Sequence, residues 1–244
     1  MYIDKRIIYI ILGIMILSGI SSYINDTNSL LRLLLTIPGI LIAITFHEFA
    51  HAYAADKLGD DTPRNQGRLT LNPLGHLDPI GSIMLLFAGF GWGKPVEVNP
   101  RNFDRRFSMD KADAIVSIAG PLMNFFLAII FTIIYCAIIK FANEAFILSQ
   151  IGQIIITMVS ATIAINVGLG VFNLIPLPLL DGSKVIKPFL PYNARQWFEN
   201  NESIFEMVFV GLWIIGILGR IISPVITLIL NGLIKFGFLI FGLL

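Results

Sequence analysis

Apolar residues run almost unbroken from Ile7 to Ile24, from about Leu31 to Leu58, from about Ala112 to Ile139 and from about Phe146 to Leu180. A helix needs ~20 such residues to cross a bilayer, so each run is read as a span. A last apolar block, Ile204 to Leu244, is long enough for two spans; Gly219, Arg220 and Pro224 interrupt it, and a hairpin turn is expected there. Lys235 in the final piece fits a lysine that snorkels from near a helix end. The run Ile80 to Phe90 is too short to span and is read as re-entrant or interfacial. Arg68 to Leu71 and Pro95 to Val98 alternate and contain β-formers, so two short strands are expected. The pattern predicts an all-α polytopic membrane protein with about six transmembrane helices and a small membrane-associated β element. It is read as one domain over 1–244, with a core of about 31–190 and C-terminal helices of about 204–244.

Charge tests the span count. With a cytoplasmic N-terminus, thirteen lysines and arginines fall on inside segments, and only Arg32, Lys140 and Arg220 fall outside. That asymmetry obeys the positive-inside rule and supports six spans, or five if the last block is not split. Asp4-Lys5-Arg6 before an apolar core also resembles a signal peptide, but no convincing small-residue cleavage site follows, and an uncleaved span is preferred. Composition agrees: 56% of residues are hydrophobic and 14% charged, against about 25% charged in soluble domains. Mean hydropathy is +0.80. A cytosolic enzyme, a disordered chain and a nucleic-acid partner are thereby excluded. The single cysteine, Cys136, excludes an internal disulfide framework and a multi-cysteine metal cluster. The charged stretch Arg101 to Asp113 reads as a solvated face.

Only three histidines are present, His47, His51 and His76, and two of them stand in Phe46-His47-Glu48-Phe49-Ala50-His51. On a helix, positions i and i+4 share a face, so both imidazoles can reach one zinc ion, with Glu48 beside them to exchange a proton with water. Ionisable residues at membrane depth cost ~3 kcal/mol unless paired or functional, which weighs against two idle histidines. His51 precedes Lys57 by six residues, ~9 Å of helix rise, so the site is expected inside the membrane near its cytoplasmic surface.

A catalytic zinc takes three protein ligands and keeps one position open. His76, Asp78 and Asp181 are the candidates for the third. Asp181 is favoured because the second and fourth spans both run towards the cytoplasm and bring it to the depth of the histidines. Pro176 and Pro178 break the helix just before it. Its alternative is a helix cap in the loop. His76 reads first as a loop histidine, otherwise as a transition-state donor or substitute ligand. Asn124 and Asn173, polar amides within spans, are candidate substrate or oxyanion contacts, or else ties between helices.

His-Glu-Phe-Ala-His followed by Leu180-Asp181-Gly182 after a proline-broken span resembles the site-2 protease family of intramembrane zinc metalloproteases. The resemblance extends through Gly67 to Pro79, Phe90 to Pro100 and Ala119 to Asn124, and covers roughly Leu41 to Lys184. It implies one Zn2+ per chain on His47, His51 and Asp181, Glu48 as catalytic acid/base, and a cell-membrane location. The family's last motif often reads Pro-x-Pro-Pro-Leu-Asp-Gly. Leu179 replaces one of those prolines, with an expected change of local stiffness but not of ligation. No PDZ or CBS domain of the kind appended in some relatives is expected, since no polar stretch is long enough to hold one.

The expected activity is hydrolysis of peptide bonds in or next to transmembrane segments of membrane-protein substrates, within the lipid bilayer. The alternative is a zinc-binding membrane transporter or a non-proteolytic metal protein. A strand edge near the site would hold an unwound substrate. The oligomeric state is left open.

Overall fold

Asp26 opens the first long helix, α1 (Thr27–Lys57), by accepting a hydrogen bond from the Asn28 amide at 3.0 Å. The computed structural model describes residues 26–88 and 91–243, together with 13, 16, 17 and 19–21. After α1 come α2 (Thr62–Asn65), a 3-10 turn (Pro73–Gly75), α3 (Pro79–Ala88), a second 3-10 turn (Pro100–Asn102) and α4 (Met109–Phe141). Then follow α5 (Glu144–Leu148), α6 (Gln150–Asn173), α7 (Asp181–Ile186), a third 3-10 turn (Lys187–Phe189), α8 (Tyr192–Asn200), α9 (Glu202–Ile214) and α10 (Ile217–Phe241). By length and apolarity α1, α4, α6 and α10 can each cross a membrane.

The core is the trio α1, α4 and α6, with α10 laid against α4 and α6. Small residues bring the helices close. An added Cβ on Gly39 of α1 would lie 2.8 Å from Thr162 Oγ1 of α6, and one on Gly237 of α10 would lie 2.6 Å from Cys136 Sγ of α4. Helix α1 runs towards the end of the bundle where α4 begins, since His51 Nδ1 meets Val116 O there. Helix α6 returns to the same end, which is termed the site end. Phe141 and Phe241 meet at the opposite end, so α10 runs parallel to α4.

The C-terminal block breaks elsewhere than at Gly219–Pro224. α10 runs straight through those residues, and the turn falls at Ile215–Gly216, where Gly216 adopts φ 73. A glycine in the left-handed region is the ordinary helix terminator, whereas a proline in an apolar helix forfeits a single hydrogen bond. With 13 residues, α9 rises only about 20 Å, short of the ~30 Å hydrocarbon layer. The block therefore supplies one span, not two. The four spanning helices replace about six for the described residues; the expected span Ile7 to Ile24 lies mostly outside them.

The two expected strands are absent as well. Among the described residues the only strand-like pairing is an antiparallel bridge between Leu77 and Gly93. Around Arg68 to Leu71 the backbone carbonyl of Thr70 is taken by the His76 ring, not by a ladder. Proline at positions 73, 79, 95 and 100 denies donors to any longer sheet. The edge expected to hold a substrate is thus not a strand edge.

Asp60 organises the connection after α1. Its carboxylate accepts from Thr62 Oγ1 at 2.5 Å, the Thr62 amide at 3.1 Å, the Asn99 amide at 2.7 Å and Asn102 Nδ2 at 2.9 Å. Burial opposes the charge, but these donors outweigh it and hold the carboxyl below the usual carboxylate range. The stabilisation is present above the unfolded value near 4 and is lost as pH falls through the depressed folded value. The thermal midpoint of the wild type in detergent is expected to fall on acidification below about pH 4. Asp60→Asn should start lower and show a flatter acid limb, and a scan of thermal midpoint against pH measures both.

Candidate active site

His47 and His51 lie one turn apart on the face of α1 that meets α4, 5% and 8% exposed. Their Nε2 atoms are 3.0 Å apart, and each lies 3.2 Å from Asp181 Oδ2. The sharing of protons around this trio follows from its neighbours. Val116 O can only accept, so His51 Nδ1 carries the proton of the 2.8 Å bond between them. Asn166 Nδ2 donates to Thr162 O, so its Oδ1 accepts from Asn124 Nδ2 at 3.0 Å. Asn124 Nδ2 also donates to Ala43 O at 3.1 Å, which leaves Asn124 Oδ1 to accept from His47 Nδ1 at 2.6 Å. Both imidazoles are thereby fixed as Nδ1–H tautomers with lone pairs on Nε2.

With both rings neutral, three lone-pair-bearing atoms face one another with no proton to share. Asp181 Oδ2 is buried and has no hydrogen-bond partner. Such a cluster is repulsive unless a cation sits in its midst. Tetrahedral zinc at 2.0–2.1 Å sets its ligand atoms about 3.3 Å apart, and the observed edges are 3.0–3.2 Å. Two imidazole nitrogens and one carboxylate oxygen are also a donor set that zinc accepts. The residues fit the metal.

The chain's local structure explains how they converge. An added Cβ on Gly120 of α4 would lie 2.4 Å from His51 Nε2 and 2.7 Å from His47 Cε1, so the rings occupy space that only glycine leaves. α6 ends at Asn173 ahead of Pro176, and Leu174 to Leu180 form a tight turn. Leu180 sinks into a cluster with Phe209 of α9 and Leu218 and Ile222 of α10. Gly182 lets the chain fold back, since an added Cβ there would sit 2.4 Å from the carbonyls of Leu174 and Ile175. Leu179 takes φ 78. A proline ring holds φ near −65°, so Leu179 gives this turn a path that proline cannot follow, beyond a change of stiffness.

The remaining candidates are not members of the close trio. Asn124 has both amide protons committed, so it holds His47 and has none left for a substrate oxyanion. Asn173 Nδ2 donates to Leu169 O on its own helix. His76 is fully buried, with Nε2 donating to Thr70 O at 2.7 Å, and belongs to the loop. Asp78 Oδ1 accepts from the Gly81 amide in the first turn of α3. Glu48 Oε2 accepts from the Val96 amide at 3.0 Å. Gly120, Val116 O and Asn166 were not foreseen. The Ala119–Asn124 motif carried Gly120, but its proximity to the rings depends on helix pairing.

Comparison with known proteins agrees with the geometry. Residues 98–216 match the family model described as peptidase family M50. The chain is 38% identical over 196 residues to "Putative zinc metalloprotease YwhC" of Bacillus subtilis, covering 80% of this chain and 87% of that protein. The chain belongs to peptidase family M50. Rip2 of Mycolicibacterium smegmatis, which bears the same description, is 32% identical over 174 residues, 67% of this chain and 63% of that protein. Rip2 of Mycobacterium tuberculosis is 29% identical over 160 residues, 64% of this chain and 57% of that protein. The chain thus spans less than two thirds of either Rip2. No solved structure matches it. As an M50 peptidase it is a multi-pass membrane zinc metalloprotease, and the His47–His51–Asp181 group is close enough to bind the metal.

Two substitutions probe this M50 site. Gly120→Ala forces the imidazoles aside and should lower bound zinc in the purified protein at least tenfold, whereas Gly219→Ala, with nothing within 4 Å, should keep it. Leu179→Pro should displace Asp181 and empty the site, while Leu179→Gly relieves ~1 kcal/mol of left-handed strain and should keep zinc and raise the thermal midpoint. Metal analysis beside thermal unfolding reads both pairs.

Proposed function

We propose that this M50 protein is an endopeptidase that cleaves membrane-protein substrates in or next to their transmembrane segments. His47, His51 and Asp181 hold zinc and Glu48 acts as acid/base. The observation that carries the reading is the buried trio of lone pairs 3.0–3.2 Å apart with Glu48 next to His47 in the chain. When bound, zinc supplies Lewis-acid polarisation that stabilises the oxyanion and makes a water molecule nucleophilic near neutral pH. Glu48 takes the proton of that water at its carboxylate and passes it to the leaving amine. Asn124 and Val116 O keep both rings turned with Nε2 into the site through bond breaking.

The arrangement in the membrane follows from charge. Lys57, Arg64, Arg68, Lys94, Arg101, Arg105, Arg106, Lys111, Lys184, Lys187, Arg195 and Arg220 all lie at the site end or in the adjoining connections. Arg32, Lys140 and Lys235 lie towards the other end. The bias supports a site near the cytoplasmic face of the cell membrane. With Ile7 to Ile24 as an additional span the chain crosses five times, its N-terminus is cytoplasmic and its C-terminus external. The core of about 31–190 and the C-terminal helices act as one protease unit, since Leu180 is anchored by α9 and α10. Substrates reach the site through lipid, and their helices must unwind locally to expose a carbonyl. The transporter reading is not favoured, because a transporter has no use for Glu48 between the two histidines.

Glu48→Gln is the direct test. The variant should retain about one zinc per chain while hydrolysis of a membrane-protein substrate falls 10²–10⁴-fold. Unchanged hydrolysis, or zinc flux without any peptide cleavage, would defeat the proposal.

A further inference from the structure

Arg68 is 5% exposed, yet no carboxylate lies within ion-pair distance of it among the described residues. The contrast with its neighbours is plain: Arg64 pairs with Asp56 at 2.7 Å and Arg106 with Asp104 at 2.6 Å, both on the surface. Burying a cation without a counter-ion is costly unless its donors are used. Both arms of Arg68 end on backbone carbonyls, Nη1 on Gly75 O and Nη2 on Lys94 O. A planar fork of fixed geometry suits such a task, since it sets the spacing between two chain segments.

The segment it grips leads to Glu48. Residues 94–99 form an irregular strap after the Leu77–Gly93 bridge. The Lys94 amide donates to His76 O at 2.8 Å, and His76 is itself tied to Thr70 O. The loop from Arg68 to Leu77 is thus a platform, and Arg68 and His76 O clamp Lys94 to it from two sides. Two residues on, the Val96 amide donates to Glu48 Oε2 at 3.0 Å. Gly93 permits the close approach, because an added Cβ would lie 2.9 Å from Ile44 Cγ2, 3.1 Å from His76 O and 3.6 Å from Glu48 Oε1.

We infer that Arg68 is a positioning residue that acts through the strap to hold the Glu48 carboxylate in one orientation. This rests on the acid/base role proposed above for Glu48. A glutamate has several rotamers to lose. The Val96 amide fixes one carboxylate oxygen and leaves Oε1 for the reacting water. Misplacement of a catalytic group by about 1 Å costs up to ~100-fold in rate. Arg68 touches neither the zinc ligands nor Glu48, so its loss leaves metal binding intact.

The test compares wild type with Arg68→Ala, Arg68→Lys, Val96→Pro, the Arg68→Ala/Val96→Pro double variant and Glu48→Gln, all full-length and zinc-loaded. Arg68→Ala should lower kcat for a membrane-protein substrate ~10-fold or more, with KM within ~2-fold and zinc content unchanged. Val96→Pro, which removes the donor, should do the same, and the double variant should lose no more than the worse single. Arg68→Lys reaches one carbonyl and should recover part of the rate; it also serves where the alanine variant does not fold. Hydrogen exchange read by mass spectrometry should show residues 94–98 losing protection in Arg68→Ala, without a change in α4 or α6. Three results would overturn the inference: additive losses, a raised KM at unchanged kcat, or full strap protection in Arg68→Ala. If hydrolysis proves independent of Glu48, the acid/base reading fails, and the exchange measurement still decides whether Arg68 sets the strap.

Discussion

Three lone pairs pressed together inside a protein repel one another, and the fold is arranged so that they cannot turn away. Asn124 and Val116 O each take one Nδ1 proton and leave no ring nitrogen free to rotate outward. Asn124 is itself held by Ala43 O and by Asn166, which is held by Thr162 O, so the orientation of His47 is anchored through all three core helices. Such buried chains are worthwhile only when every member is satisfied, and each donor in this one is. A cation bound among them would offset that cost by turning repulsion into ligation.

The carboxylate arm depends on different physics. The histidines stand on a rigid helix, but Asp181 comes from a turn, and turns need fixing from outside. Leu180 provides it by sinking into the apolar cluster of α9 and α10 while Leu179 projects into the surroundings at φ 78. Gly182 then lets the chain fold over the carbonyls of Leu174 and Ile175. The C-terminal helices therefore help to place the Asp181 carboxylate beside the two histidines, although they contribute no member of the trio themselves.

Around Glu48 the chain leaves regular structure altogether. The segment 91–99 has no helix or strand, yet key backbone groups find single partners: the Lys94 amide in His76 O, the Lys94 carbonyl in the Arg68 fork and the Val96 amide in the Glu48 carboxylate. Irregular backbone beside a membrane core persists when it is covered by protein in this way. A regular strand would have directed the same amides to a neighbouring strand and left Glu48 without a donor.

The sequence alone determined the four long apolar helices, the pairing of His47 and His51 on one helical face and the delivery of Asp181 by a proline-broken span. These follow from local rules, since lipid demands a run of apolar residues and a helix places i and i+4 together. It did not determine where the last block breaks, because Gly216 and Pro224 are both legitimate interruptions and only packing against α4 and α6 chooses between them. Nor did it reveal that Asn124 serves a histidine, that Gly120 makes room for two rings, or that Arg68 and His76 brace a strap in place of a sheet. Each of those roles is a contact between residues distant along the chain, and a lone amide, glycine or buried cation reads the same in sequence whichever partner the fold brings to it. Tertiary structure alone supplies the partner, because it fixes which helix faces meet and how closely.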